Sequence, residues 1–330
     1  MTDTLQIACS ADERYAPHCA AMLHSVLTHA DGARTVVHFL RGPEVSDLVV
    51  ERLGQLVHGF DAELNTLPVA PEIDRELVAL GNIPGAQWYR VLLAERLPAV
   101  DKVLYLDSDL LALGSLRPLW STPIDGRLVA AVTNPFPRNI ADYPTAVLGL
   151  AHPHRYFNTG VMVMNLKAMR GIGWLRQVKE AAARAKGRYR WPEQDAINFV
   201  SAESRVELDP RWNLLGTIFG GTRAETVFPK SVLDAARQNP AIVHFEGPHY
   251  LKPWHYLCTH VYRPLYLQHR SSTPWPPTPP EGRTLLNIIR LNAPQIGRRA
   301  KEALGPRWRR FRHWLGRIRR SLMQAIWSAR

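Results

Sequence analysis

The sequence predicts an α/β fold, in which a mostly parallel central sheet carries helices on both faces and a basic amphipathic helical tail follows at the C-terminus. Three observations carry this. Short apolar runs alternate with longer runs of helical period through the first hundred residues, the βαβα order that buries a parallel sheet between helices. The apolar run Lys102-Val-Leu-Tyr-Leu106 opens directly into Asp107-Ser108-Asp109, and in open α/β sheets ligands gather at the C-terminal ends of strands. The 330 residues are 46% hydrophobic and 21% charged, which excludes wholesale disorder, collagen-like sequence and a coiled-coil rod. Such a length suits two domains, or one large α/β domain with appendages.

In chain order, residues 5–9 read as a buried strand, 16–29 as a helix, 36–40 as a strand and 45–58 as a helix. A helix over 89–97 leads into the strand 102–106. A proline-rich loop at 134–138 lies between two strand candidates, 128–132 and 160–166. Helices follow at 174–186 and 193–200, and the apolar run 241–245 reads as a last strand. The expected organisation is a catalytic domain over 1–270, a linker over 271–282 and a tail over 283–330. Five prolines between Ser272 and Gly282 remove donors and fix φ, so that segment reads as a stiff linker.

Charge separates the tail from the rest. Of 41 Lys and Arg and 29 Asp and Glu, 13 basic residues and only Glu302 lie beyond residue 282, leaving 28 of each sign before it. In the tail, Trp308, Phe311, Leu315, Ile318, Leu322, Ala325 and Ala329 recur at spacings of three and four among seven arginines, the pattern of a basic amphipathic helix. Nucleic acid and a fold-back onto the globule are the competing destinations. An anionic membrane surface is favoured, because the apolar flank suits a lipid interface and the arginines suit its headgroups. Cys9, Cys19 and Cys258 form no CxxC pair and fit a reducing cytosol. The acidic start MTDTLQIACSADE and the lack of a long apolar run argue against a signal peptide or spanning helix. The expected location is cytoplasmic, peripheral to the inner face of the membrane.

Two clusters carry chemistry. Asp107 and Asp109, two residues apart at a strand end, can converge on one hard divalent cation, the usual grip on a diphosphate. Such a pair also serves as solvated loop acids or helix caps. A haloacid-dehalogenase pattern would need Thr where Leu111 stands. In AIVHFEGPHYLKPWH, His244 ends an apolar run, Gly247 lies in a tight loop and Lys252 precedes Pro253 and Trp254. An imidazole can complete the shell of a Mn²⁺-like ion, and an ammonium can neutralise a departing phosphate.

Three more segments follow the same order along residues 5–260: ADERYAPH, YFNTGVMVMNL and Glu193-Gln194-Asp195-Ala196-Ile197-Asn198. Together the five resemble the family 8 retaining glycosyltransferases, the group of glycogenin and the bacterial lipooligosaccharide hexosyltransferases. The resemblance implies the Rossmann-like GT-A fold and a UDP-sugar donor. It implies Asp107, Asp109 and His244 as ligands of Mn²⁺, or of Mg²⁺, on the donor diphosphate. Ala11, Asp12 and Tyr15 would hold uracil and ribose, and Arg90 the donor sugar or phosphate. Ser108 and Gly247 would line the donor site, Asn158 and Asp195 would bind the sugar hydroxyls, and Gln194 would lie beneath the anomeric carbon. Lys252 would face the leaving phosphates, so Gln194, Asp195 and Lys252 form the implied catalytic group. Four residues separate Gly247 from Lys252, where the family pattern has two, and the enlarged loop adds His249 as an alternative ligand. The implied activity is transfer of galactose or glucose to a saccharide acceptor, a lipopolysaccharide or related glycolipid at a membrane surface. Two competing readings are a UDP-binding protein that has lost turnover and a polyanion-binding protein acting through its tail.

Overall fold

A computed structural model describes residues 4–220 and 223–291. The chain divides into two compact units, one of residues 1–253 and 259–278, the other of 254–258 and 279–330.

The first unit is an α/β structure with ten strands among the described residues: β1 (Leu5–Ala11), β2 (Thr35–Arg41), β3 (Glu63–Pro68), β4 (Lys102–Leu106), β5 (Leu110–Ala112), β6 (Val129–Thr133), β7 (Phe157–Asn165), β8 (Arg205–Glu207), β9 (Leu214–Leu215) and β10 (Ile242–His244). Seven form the main sheet in the order β3-β2-β1-β4-β7-β6-β8. The pairs β1–β2, β1–β4, β2–β3 and β6–β8 are parallel, and only β7 runs against its neighbours β4 and β6. Parallel strands are covered on both faces and read as continuous apolar runs. β4 shows this: Val103 and Tyr105 join a core of Trp88, Val91, Trp174, Val178 and Ile197, while Leu104 and Leu106, on the opposite face, are equally buried.

A second sheet, β5-β10-β9, matters more for the site. The run 241–245, expected as another strand, forms β10 in this small sheet, antiparallel to β5 with His244 opposite Leu110. The Phe245 N–H then donates to the Asp109 carbonyl (2.9 Å). On the other side, the register Leu106↔Val161 lets the Asp107 N–H donate to the Gly160 carbonyl (2.8 Å). Backbone pairing alone therefore brings two distant segments, at 160 and 244–245, to Asp107-Ser108-Asp109.

The long helices match expectation to within a residue or two: Ala16–Thr28, Asp47–His58, Trp174–Ala185 and Pro192–Ser201. Ser46 begins the second by accepting from the Val49 N–H (3.4 Å), which places its start two residues later than the apolar pattern suggests. The expected helix 89–97 is instead broken, into Gly85–Trp88, a 3₁₀ turn Tyr89–Leu92 and Leu93–Arg96. The turn directs Arg90 inward. The proline-rich segment packs at its start: Trp275 is buried, Arg270 donates to the Trp275 and Pro276 carbonyls (3.2 and 3.0 Å), and Arg52 lies 5.7 Å from the Trp275 ring centroid.

In the second unit, Tyr256 and Glu281 are tied through the Tyr256 N–H to the Glu281 carbonyl (2.8 Å), and the Glu281 N–H bonds the Trp254 carbonyl (3.0 Å). Gly282 has φ +68°, and a Cβ there would stand 2.1 Å from His255 Nε2, so the tight approach requires glycine. Residues 285–291 are helical, with Leu285, Leu286 and Ile289 exposed. The amphipathic helix expected over 308–329 lies outside the described residues. Among the described residues no helix is long and apolar enough to cross a membrane.

Candidate active site

The site forms where β1 and β4 end and β10 meets the loop after β4. Asp109 receives the Lys252 ammonium on Oδ2 and lies 3.1 Å from His244 Nε2 through Oδ1. Asp107 Oδ2 lies 3.9 Å from the same imidazole nitrogen. Burial works against ionisation of Asp109, but the Lys252 and His244 charges outweigh it and hold its carboxyl well below the usual carboxylate range. Burial likewise opposes the charges of Lys252 and His244, and Asp109 raises both pKa values.

The residues present suit a divalent cation. One ligand atom from each of Asp107, Asp109 and His244 lies within 4.8 Å of the others, and two carboxylates with an imidazole form a hard donor set. Asn213 fixes the imidazole. Its Oδ1 lies 2.9 Å from His244 Nδ1, and its amide nitrogen donates to Asn158 Oδ1 (2.8 Å). That contact engages Nδ1 and directs Nε2 at the carboxylates, where it would give its lone pair to a bound cation. Gly160 provides the room: a Cβ there would stand 2.3 Å from His244 Cε1 and 2.6 Å from Asp107 Oδ2.

Arg90, 4% exposed, spans the floor. Its Nη2 pairs with Asp107 Oδ1 (2.9 Å) and its Nε lies 3.1 Å from Glu193 Oε1. Its Nη1 donates to the Thr159 carbonyl and hydroxyl (2.8 and 3.2 Å), and its guanidinium stacks 4.4 Å from the Tyr105 centroid. Burial pushes the Glu193 carboxyl up to about 7 against the pull of Arg90.

Beside it, Gln194 is held at both ends of its amide. Its Oε1 accepts from Thr159 N (3.1 Å), Thr159 Oγ1 (3.3 Å) and Asn158 Nδ2 (3.3 Å), and its Nε2 donates to the Tyr156 hydroxyl (3.0 Å). Asp195 lies deeper, with no exposed surface, and accepts from the Tyr156 and Tyr143 hydroxyls and the Trp191 N–H.

The remaining expected residues surround this centre. Ala11 closes β1. Asp12 Oδ1 accepts from the Tyr15 N–H (2.7 Å), a turn that starts the helix Ala16–Thr28. Ser108 donates to the Ser10 carbonyl (2.8 Å) and so binds the acidic loop to β1. Gly247 adopts φ +94°, open to glycine at little cost. The two extra residues of the loop are taken up by a 3₁₀ turn, His249–Leu251, and Lys252 still returns to Asp109. His249 is exposed and lies outside the cluster, so the structure does not bring it forward as a ligand. Sequence reasoning did not single out Asn213, Thr159, Tyr156, Gly160 or Glu193 as site residues. The last four lie in or beside quoted motifs, whereas Asn213 stands in a loop with no motif to mark it.

The family model described as glycosyl transferase family 8 matches residues 6–258. General stress protein A of Bacillus subtilis is 26% identical over 283 residues, covering 83% of this chain and 95% of its own. Lipopolysaccharide glucosyltransferase WaaO of Escherichia coli is 22% identical over 281 residues, covering 82% of this chain and 79% of its own. The galactosyltransferase LgtC, solved with donor and acceptor sugar analogues, superposes with a TM-score of 0.72 at 24% identity, covering 83% of this chain and 98% of that one, a likeness of fold.

Proposed function

The chain belongs to glycosyl transferase family 8, and on that premise we propose that it transfers a hexose, galactose or glucose, from UDP to a saccharide acceptor with retention of configuration. The observation that carries the reading is the convergence of Asp107, Asp109, His244 and Lys252 at the strand ends, with Gln194 and Asn158 alongside. Mn²⁺, with Mg²⁺ as the alternative, held by Asp107, Asp109 and His244 would supply positive charge for the diphosphate. Lys252 adds an ammonium on the same side, stabilising the charge that develops as the sugar–phosphate bond breaks. Ala11, Asp12 and Tyr15 hold uracil and ribose, with Ser108 and Gly247 in the donor wall. Arg90 aligns Asp107 toward the donor, and Asn158 faces the sugar. Asp195 acts from behind, fixing Tyr156 and through it Gln194.

Gln194 is a poor nucleophile. Retention is therefore assigned to same-face attack: the acceptor oxygen bonds the anomeric carbon as the carbon–phosphate oxygen bond breaks, and the acceptor proton passes to the leaving phosphate. The acceptor reading, a lipopolysaccharide or glycolipid, rests on the E. coli relative's name and on the basic, aromatic composition of 283–330. That segment serves as a peripheral anchor to the anionic inner membrane face, beyond the catalytic domain 1–270 and the linker 271–282.

The test is release of UDP from UDP-galactose and UDP-glucose by the full chain. Turnover with Mn²⁺, lost in EDTA and in Asp109→Asn, is expected. Full turnover in Asp109→Asn overturns the metal assignment, and UDP binding without any turnover favours the inactive UDP-binding protein.

A further inference from the structure

The large apolar residues exposed on the first unit are dispersed along residues 48–199, except at one place. Between residues 250 and 267, Tyr250 (48%), Leu251 (46%), Val261 (63%) and Leu267 (43%) are all exposed. Single exposed apolar residues need no explanation, whereas a group of them marks an interaction surface. Tyr250 and Leu251 stand outside because of the 3₁₀ turn His249–Leu251, the turn that takes up the two extra residues of the loop after Gly247.

The two runs that carry these residues are held together and held rigid. Arg263 Nε donates to the Pro253 carbonyl (3.0 Å), and the His260 ring meets the Phe245 ring edge-on, 4.9 Å between centroids. The helix Arg263–Ser271 buries Tyr266 and His269, and the Tyr266 hydroxyl lies 2.6 Å from His18 Nδ1. Pro264 and Leu267, one turn apart, therefore stay outside with Val261 before them. The loop ends at Lys252, whose ammonium lies on Asp109, so the surface borders the candidate active site.

Charge and composition point to what covers it. Residues 247–280 contain no Asp or Glu; their charged residues are Lys252, Arg263 and Arg270, and four histidines accompany them. An apolar surface with an outward tyrosine, no acid and only positive charge around it matches the boundary between anionic headgroups and acyl chains.

We propose that the loop 247–253 and the start of the helix Arg263–Ser271 form a lipid-contact surface, which seats the opening of the site on an anionic bilayer. It is an attachment separate from the basic segment 283–330, and it rests on the membrane-surface reading above. A saccharide carried on a lipid then meets the site without leaving the membrane.

The experiment uses the full chain with Leu251→Cys carrying the environment-sensitive dye NBD; Cys9, Cys19 and Cys258 are buried, so the introduced thiol takes the label. Ala183→Cys, exposed on the helix Trp174–Ala185, is the control. On vesicles of phosphatidylcholine and phosphatidylserine, emission from position 251 should rise severalfold, shift to the blue and be quenched by brominated lipid, while position 183 stays unchanged. In the unlabelled chain, Tyr250→Ser combined with Leu251→Ser should weaken co-sedimentation severalfold. Vesicles that co-sediment the chain but leave position 251 unchanged, or change both positions alike, overturn the inference and leave attachment through 283–330 intact. Blue-shifted emission at 251 before vesicles are added also overturns it, in favour of a surface covered by the chain's own tail or by a second copy. A chain that fails to co-sediment at all overturns both readings.

Discussion

Gly160 has no side chain, and the centre depends on that. With a Cβ 2.3 Å from the His244 ring and 2.6 Å from Asp107, Gly160→Ala must separate the two, and turnover should fall by at least a hundredfold while the chain still folds. A variant with native turnover would show that Asp107 and His244 need not converge. Lys252 and Asp109 are coupled differently. Removing one partner of a buried ion pair leaves the other uncompensated, at about 3–5 kcal/mol, so Lys252→Met should lower stability markedly, and denaturant unfolding would measure it. At this scale the sequence is informative where chemistry sits in a motif: Asp107, Asp109, His244 and Lys252 are legible from two short runs. Asn213 is not, because its role comes from a hydrogen bond to a residue 31 positions away. Arg90 is legible as a site residue, but its commitment to Asp107 and Glu193 emerges only from packing.

Among the elements, the helices Ala16–Thr28 and Arg263–Ser271 are joined by polar contacts that set a pH dependence. His18 Nδ1 lies 2.6 Å from the Tyr266 hydroxyl and His24 Nδ1 2.9 Å from His269 Nδ1. Burial pushes His18 down to about 3 and His269 to about 4. These imidazoles stay neutral in the fold while the unfolded chain takes up protons below about pH 6.5. Stability from each is therefore complete above that pH and is lost as pH falls toward the folded value, by about 2 kcal/mol at pH 5 for His18. Thermal unfolding at pH 8 and pH 5 should show this loss, with a shallower slope in His18→Gln; an equal slope would contradict it. The long helices and central strands are legible from periodicity. β5, β8 and β9 are two or three residues long, too short for any period, and the broken helix across residues 85–96 holds Arg90 against partners distant in the chain, which no local pattern marks.

At the scale of the whole molecule, charge is partitioned more sharply than structure. Residues before 283 balance, and those from 283 onward carry the net +12. If the basic segment serves an anionic surface, the full chain should co-sediment with vesicles containing phosphatidylserine at low salt and release as ionic strength approaches 0.5 M, roughly where the Debye length nears a few ångströms. Equal binding to neutral vesicles would contradict the electrostatic part of that reading. The order of apolar runs makes the α/β class legible, since a chain alternating periods in this way can bury its sheet in few arrangements. The antiparallel insertion of β7 between β4 and β6 is not legible, because strand direction depends on connections that no local pattern encodes.

The central claim is a donor site whose grip on UDP depends on Asp109 and a divalent cation. Its most direct test is thermal unfolding of the full chain with saturating UDP, in Mn²⁺ and in EDTA. A ligand at a hundred times its dissociation constant adds about 2.7 kcal/mol. The account predicts an upward shift with UDP and Mn²⁺ that disappears in EDTA and in Asp109→Asn and is not reproduced by ADP or GDP. No shift, or the same shift in EDTA, would contradict it.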